Sequence, residues 1–147
     1  MHITATELRS LSQNILAAHG FSQEHQHSIT ETLVTAQIDQ CHSHGVWRLL
    51  GIIDTLKHGK INATASPVVT HEQGAIIKID AKLGAATTAL ALGLPKLIEK
   101  AKQSGIALLA INHCVHFSAL WVEIEQLTRP GLIAINMTPS HAWVAPS

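Results

Sequence analysis

Hydrophobic periodicity changes character once along these 147 residues, near Ile61, and the change divides the chain into a helical part and a part built on strands. Before it, Thr4-Ala5-Thr6-Glu7 reads as a capping box, and Leu8, Leu11, Ile15 and Leu16 follow at helical spacing as far as Gly20. Ser22 can cap a second helix with Ile29, Leu33 and Ala36 on one face and Asp39 near its end. A third is expected to start near Ser43 or His44 and to run through Trp47, Leu50, Ile53 and Leu56 until Gly59 stops it. Residues 1–60 are thus read as a helical segment.

Beyond Ile61, residues 66–70 and 75–80 alternate or cluster like strands on either side of Glu72-Gln73-Gly74, which predicts a hairpin or an adjacent strand pair. Gly84 precedes an alanine- and leucine-rich helix ending near Gly105, with Pro95 placed to kink or split it. Residues 106–111 read as a short, fully apolar strand and residues 132–136 as another, with a helix from about Ser118 to Leu127 between them. That order is a β-α-β unit. The expected fold class is α/β: the helical segment packs on a mixed sheet, and residues 61–147 form a partial α/β region.

A content of 46% hydrophobic and 14% charged residues suits a soluble chain with one real core. Ten basic residues balance ten acidic ones, so no net field draws the chain to nucleic acid or to an anionic membrane. No uncharged apolar run reaches about eighteen residues, so no membrane span is expected. Two cysteines are too few for a disulfide framework, and Met1 to Glu7 lack the basic and apolar regions of a signal peptide, which makes the cytoplasm the default compartment. Among eleven histidines, His19, His25, His27 and His58 fall in polar or turn-like settings and are expected on the surface.

Chemistry concentrates in Cys41-His42-Ser43-His44-Gly45-Val46-Trp47-Arg48. With a helix from Ser43 onward, His44 and Arg48 stand four apart on one face and Ser43 caps the start. An imidazole can exchange a proton near neutral pH, and a guanidinium can grip a carboxylate with two parallel hydrogen bonds. Together they point to a small carboxylate-bearing substrate. The plainer readings are that Ser43 only caps, that His44 is structural, and that Arg48 pairs with Asp39 or Asp54 as a solvated ion pair. Trp47, Trp121 and Trp143 read as packing residues.

The stretch from Ser43 to Leu49, preceded by Asp39, resembles the signature of the malate/L-lactate dehydrogenase family, whose fold is not of the Rossmann type. His113-Cys114-Val115-His116-Phe117-Ser118-Ala119-Leu120-Trp121 resembles its nicotinamide-binding loop, and residues 131–140 resemble the strand and turn that follow. The wording is most similar to the branch that reduces cyclic imino acids such as Δ1-piperideine-2-carboxylate. The resemblance implies catalysis by Ser43 and His44, substrate binding by Arg48, and cofactor contacts from His116, Phe117, Ser118, Ala119 and Leu120. It implies NADPH or NADH as coenzyme, no metal, and a homodimer for full-length members. It also implies that the chain is an incomplete, N-terminal portion, because family chains are more than twice as long and carry the relay Asp and much of the cofactor site further on. A malate-, lactate- or diketogulonate-type dehydrogenase and an inactive remnant are the alternatives inside that reading.

Apart from the resemblance, nucleotide binding rests on one modest signal, the helix start after residues 112–116, where backbone N–H groups can meet a phosphate. No G-x-G-x-x-G follows any strand. The rival from another class is a zinc module built from Cys41, His42, His44, His113, Cys114 and His116, although their spacing matches no standard zinc motif.

Overall fold

Helix α1, Ala5–Ala18, begins where the capping box places it. The Glu7 N–H donates to Thr4 Oγ1 at 3.2 Å, and the Thr4 N–H donates to Glu7 Oε2 at 2.8 Å. A computed structural model describes residues 3–117 and 119–139. Helix α2, Gln23–Ile38, is capped by Ser22 and buries Ile29, Leu33, Val34 and Ala36. Helix α3 spans Arg48–Lys57 and buries Leu49, Ile52 and Ile53. These three faces meet Leu16, Phe21, Ile61 and Ala85 in one apolar cluster, against which Val115 and Phe117 pack from the second part of the chain.

The sheet has strand order β1-β2-β3, with β1 at Val68–Gln73, β2 at Ile76–Asp80 and β3 at Leu108–Asn112. The expected hairpin forms, β1 pairing antiparallel with β2, but β1 runs on to Gln73, and Gly74-Ala75 make the turn. Gly74 has φ +53°, as the first position of a tight hairpin turn requires. Strands β2 and β3 pair in parallel, joined by α4, Ala86–Ser104. Helix α4 covers the sheet through Ala89, which packs with Ile77, Ile79 and Ala81. Pro95 does not split it: α4 is continuous, with Pro95 inside. Gly93 lets the helix settle closely, since a Cβ there would stand 2.7 Å from Leu109 Cδ2 and 2.8 Å from Ile79 Cδ1. Helix α5, Leu120–Thr128, follows the loop that leaves β3.

Three expectations about the strands are corrected. The β-α-β unit is β2-α4-β3, not a unit straddling α5. Residues 132–136 form no strand, because a strand needs a neighbour to take its N–H and C=O groups and none of the described residues lies alongside. Strand β3 is itself shifted from residues 106–111 to Leu108–Asn112, and it is not buried on both faces, with Leu108 55% exposed.

His25 is also corrected, from surface to core: it is fully buried. Its Nδ1 lies 3.0 Å from Ser22 Oγ, and its Nε2 accepts the Ala85 N–H at 3.3 Å. That pairing is consistent only with a neutral ring protonated on Nδ1, and burial lowers its pKa accordingly. The polar residue thus staples α2 to the start of α4. No helix among the described residues is long and apolar enough to cross a membrane.

Candidate active site

The segment between α2 and α3 is not the start of a helix running from Ser43. After the C-cap Asp39, Gln40 takes a left-handed φ of +60°, and a single 3-10 turn, His42–His44, follows. Gly45 is extended, which breaks the path, so α3 starts only at Arg48 with Trp47 as its cap. Gln37 of α2 explains the glycine. Its amide reaches His42 Nδ1 at 2.7 Å and accepts the Val46 N–H at 3.4 Å, so a Cβ on residue 45 would push that amide out of both contacts. Ser43 is therefore not the cap of α3, and His44 and Arg48 do not share one helical face.

The turn nonetheless brings the three predicted groups together. Ser43 Oγ lies 3.0 Å from His44 Nδ1, and the Arg48 Nε–H donates to the Ser43 carbonyl at 2.8 Å. A serine hydroxyl can donate to a bare Nδ1 or accept from a protonated one, so this contact survives both charge states of the ring. Cys41 Sγ stands 3.7 Å from the same Nδ1. Burial, then the charge of Arg48, then that of His116 hold the pKa of His44 below the ordinary histidine range. Arg48 takes part in none of the ion pairs among the described residues. The carboxylates weighed as its partners are engaged elsewhere: Asp39 accepts the Trp121 indole N–H at 3.0 Å, and Asp54 faces His58 at 3.6 Å.

Arg48 and His116 line a cleft of about 180 Å³ whose other walls are Gly51, Ile52, Thr55, Val115 and Phe117. Sites that enclose a drug-sized molecule hold roughly 300–1,000 Å³, so this cleft suits one small ring and not a dinucleotide. A larger hollow of about 360 Å³ between α1 and α3 touches none of the predicted site residues.

The predicted cofactor segment has mixed exposure. His116 faces the cleft, Phe117 packs on the helical core, Ala119 is buried beside Ala36 and Val122, and Leu120 opens α5; Ser118 lies outside the described residues. The start of α5 has no side-chain cap, but its first turn carries Glu123. A carboxylate there opposes a phosphate, so the residues fit the nicotinamide end of a coenzyme better than its pyrophosphate.

Glu123 was not foreseen. It is 6% exposed; its Oε1 lies 3.0 Å from His116 Nε2, and its Oε2 accepts from Asn136 Nδ2. Nothing in the spacing of His116, Glu123 and Asn136 marks them as a set, because a loop, a helix and an extended segment separate them.

Of the six proposed zinc ligands only Cys41 and His44 come together, and the rest turn elsewhere. His113 turns to Asp80 at 3.2 Å, Cys114 packs on the sheet, His42 faces Gln37 and His116 faces Glu123. Among the described residues no three His, Cys, Asp or Glu side chains are grouped to hold a metal ion.

Fold and site together define an α/β protein with an imidazole–hydroxyl pair beside a guanidinium that lines a ring-sized cleft and pairs with no carboxylate among the described residues. The chain belongs to the malate/L-lactate dehydrogenase family, which it matches over residues 3–147. It is 50% identical over 147 residues to a Δ1-pyrroline-2-carboxylate/Δ1-piperideine-2-carboxylate reductase of Pseudomonas aeruginosa, covering 100% of this chain and 44% of that protein. It is 44% identical over 144 residues to Δ1-pyrroline-2-carboxylate reductase 1 of Burkholderia ambifaria, covering 98% of this chain and 42% of that one. The crystal structure of Δ1-piperideine-2-carboxylate reductase from Pseudomonas syringae pvar. tomato superposes with a TM-score of 0.86 at 36% identity, over 89% of this chain and 40% of that one. The chain therefore spans less than half the length of these relatives.

Proposed function

We propose that the chain is the substrate-binding and acid–base part of an NADPH- or NADH-dependent reductase of a cyclic imino acid, of the Δ1-piperideine-2-carboxylate or Δ1-pyrroline-2-carboxylate type, or of a related 2-oxo acid. The observation that carries it is Arg48, fixed by its Nε–H on the Ser43 carbonyl and paired with no carboxylate among the described residues, beside a His44 whose Nδ1 rests on Ser43 Oγ. The names of the most similar relatives favour the cyclic imine over malate, lactate or a sugar-derived acid.

In this reading Arg48 binds the substrate carboxylate and so sets the position of the carbon next to it. A reduced nicotinamide, if held beside it by residues 116–120, would contribute hydride chemistry at that carbon. Ser43 holds His44 by Nδ1, which leaves Nε2 as the nitrogen that delivers a proton to the oxygen of a 2-oxo acid or manages the proton on a ring nitrogen. Its lowered pKa makes His44 a readier proton donor once charged. His116, Phe117, Ser118, Ala119 and Leu120 are assigned to the nicotinamide end, Ala119 through its main chain because its side chain is buried. NADPH is favoured over NADH by the imine-reducing branch. A homodimer, a cytoplasmic setting, and the division into a helical segment 1–60 and a nicotinamide-binding region 61–147 belong to the same proposal.

The test is oxidation of NADPH and NADH by the 147-residue chain with Δ1-piperideine-2-carboxylate, pyruvate and oxaloacetate. His44→Ala is expected to lower kcat by a factor of about 10²–10⁴, the usual weight of general acid–base catalysis, while Arg48→Ala chiefly raises KM. Parent-like kinetics in both variants overturn the residue roles. A folded chain that turns over none of the three substrates overturns the activity and leaves family membership standing.

A further inference from the structure

We propose that Trp121 is a positioning residue for His44 and that Asp39 holds Trp121 in that task. The inference rests on the acid–base role of His44 given above. The His44 and Trp121 ring centroids are 5.9 Å apart with the planes at 70°, an edge-on contact. The indole cannot drift, because its N–H donates to Asp39 Oδ2 at 3.0 Å and its body packs on Ala36, Ala119 and Val122. Two helices far apart in sequence, α2 at its C-cap and α5 at its first turn, thus fix one wall of the imidazole.

The wall has a reason to exist. His44 closes a 3-10 turn of only three residues, a weak platform for a group that must aim a proton. Its own turn contributes Cys41 and Ser43 at Nδ1, α3 contributes Arg48, and the loop before α5 contributes His116. Trp121 is the apolar member of this circle, and Asp39 is the carboxylate behind it. By displacing water from one side of the ring, the indole disfavours the charged imidazole, in the same direction as Arg48 and His116. Trp121 also follows directly on the segment assigned to the nicotinamide, so the wall and that segment move together.

The experiment is the titration of the His44 ring by proton NMR in the full chain, with the resonance assigned through His44→Gln. It needs neither coenzyme nor turnover, so it succeeds or fails independently of the activity assay. The parent midpoint is expected below the ordinary histidine value of about 6.5. Trp121→Ala should raise it toward that value, and Trp121→Phe, which loses the N–H tether but keeps an aromatic ring, should raise it less. Asp39→Ala should leave the midpoint above that of Asp39→Asn, because both variants lose the charge and only the alanine loses the tether. Asp39→Asn keeps an oxygen acceptor for the indole and should not raise the midpoint; loss of the negative charge alone would lower it. The proposal is overturned if Trp121→Ala leaves the midpoint in place, or if Asp39→Ala and Asp39→Asn shift it alike. Should Trp121→Ala fail to fold, the contrast between the two Asp39 variants decides.

Discussion

Replacing Gly84 by alanine should destabilise the chain through lack of space rather than through backbone conformation. A Cβ there would stand 2.8 Å from Ala65 Cβ, 2.8 Å from His25 Nε2 and 3.0 Å from the Ala81 carbonyl oxygen. None of the three can swing aside. Ala65 is buried, the imidazole is pinned at Nδ1 by Ser22, and the carbonyl accepts the N–H of Gly84 itself at 2.8 Å. Overpacking by one methyl costs about 1–3 kcal/mol. Displacing His25 also weakens its bond from the Ala85 N–H, a further ~0.5–1.5 kcal/mol. Restricting the unfolded chain returns about 0.4–1 kcal/mol, so the net loss is roughly 1–3 kcal/mol. Urea unfolding above pH 7, where His25 is neutral in both states, reads this as a midpoint lowered by about 1 M for a slope near 2 kcal/mol per M. Gly51→Ala is the matched control. Gly51 lies inside α3 with no atom within 4 Å of an added Cβ, so the change should stabilise by roughly 0.5–1 kcal/mol. Equal stability of parent and Gly84→Ala, or the same sign in both glycine variants, would refute the argument.

Stability should depend on pH in two separate windows. His25 has a lowered folded pKa, so its contribution is complete above the unfolded value of about 6.5 and is lost as pH falls from there toward the folded value; His25→Asn should flatten that slope in urea midpoints taken between pH 7 and 5. Asp80 is held down to about 2 by the Lys82 N–H and ammonium and by His113, so its contribution is complete above about 3.8 and fades only as pH falls toward 2; Asp80→Asn should flatten that lower window alone. Glu123→Ala removes the acceptor of both His116 and Asn136 at a buried position and should cost about 1–3 kcal/mol in the same assay, with Glu123→Gln, which keeps the volume and one acceptor oxygen, costing less; equal losses would mean that the carboxylate charge, not volume or the retained acceptor, sets the effect.

Local chemistry was the legible part of the chain. Thr4 and Glu7 cap α1 because the capping box needs only four consecutive residues, and Gly74 marks the hairpin because a tight turn needs a positive φ at one position. The Ser43-His44-Arg48 set was legible as chemistry but not as geometry. The spacing of four between His44 and Arg48 suggests one helical face, yet the contact runs through a 3-10 turn shaped by Gln37, a residue of the preceding helix. His25 was misplaced for a related reason. A histidine after a serine N-cap looks like a polar surface residue, and only the arrival of Ala85, sixty positions later, supplies the buried N–H that its Nε2 accepts.

Residues 132–137 show how far an alternating pattern reaches. Ile133, Ile135 and Met137 are 99%, 84% and 84% exposed, while Leu132, Ala134 and Asn136 between them are partly covered. A period of two is thus present in the exposure of the side chains, although the strand was expected from a short apolar run and no ladder forms among the described residues. Alternation states which side chains share a face; it does not state which backbone lies alongside. The face is meaningful here even without a ladder, because its single polar member, Asn136, donates to Glu123, and Glu123 in turn takes His116 Nε2 at the cleft. One register step would turn Asn136 outward and bring Met137 or Ile135 toward a buried carboxylate, losing one hydrogen bond worth about 0.5–1.5 kcal/mol. A strand-like pattern in a segment that joins no ladder among the described residues is therefore still constrained, by one hydrogen bond that runs toward the site.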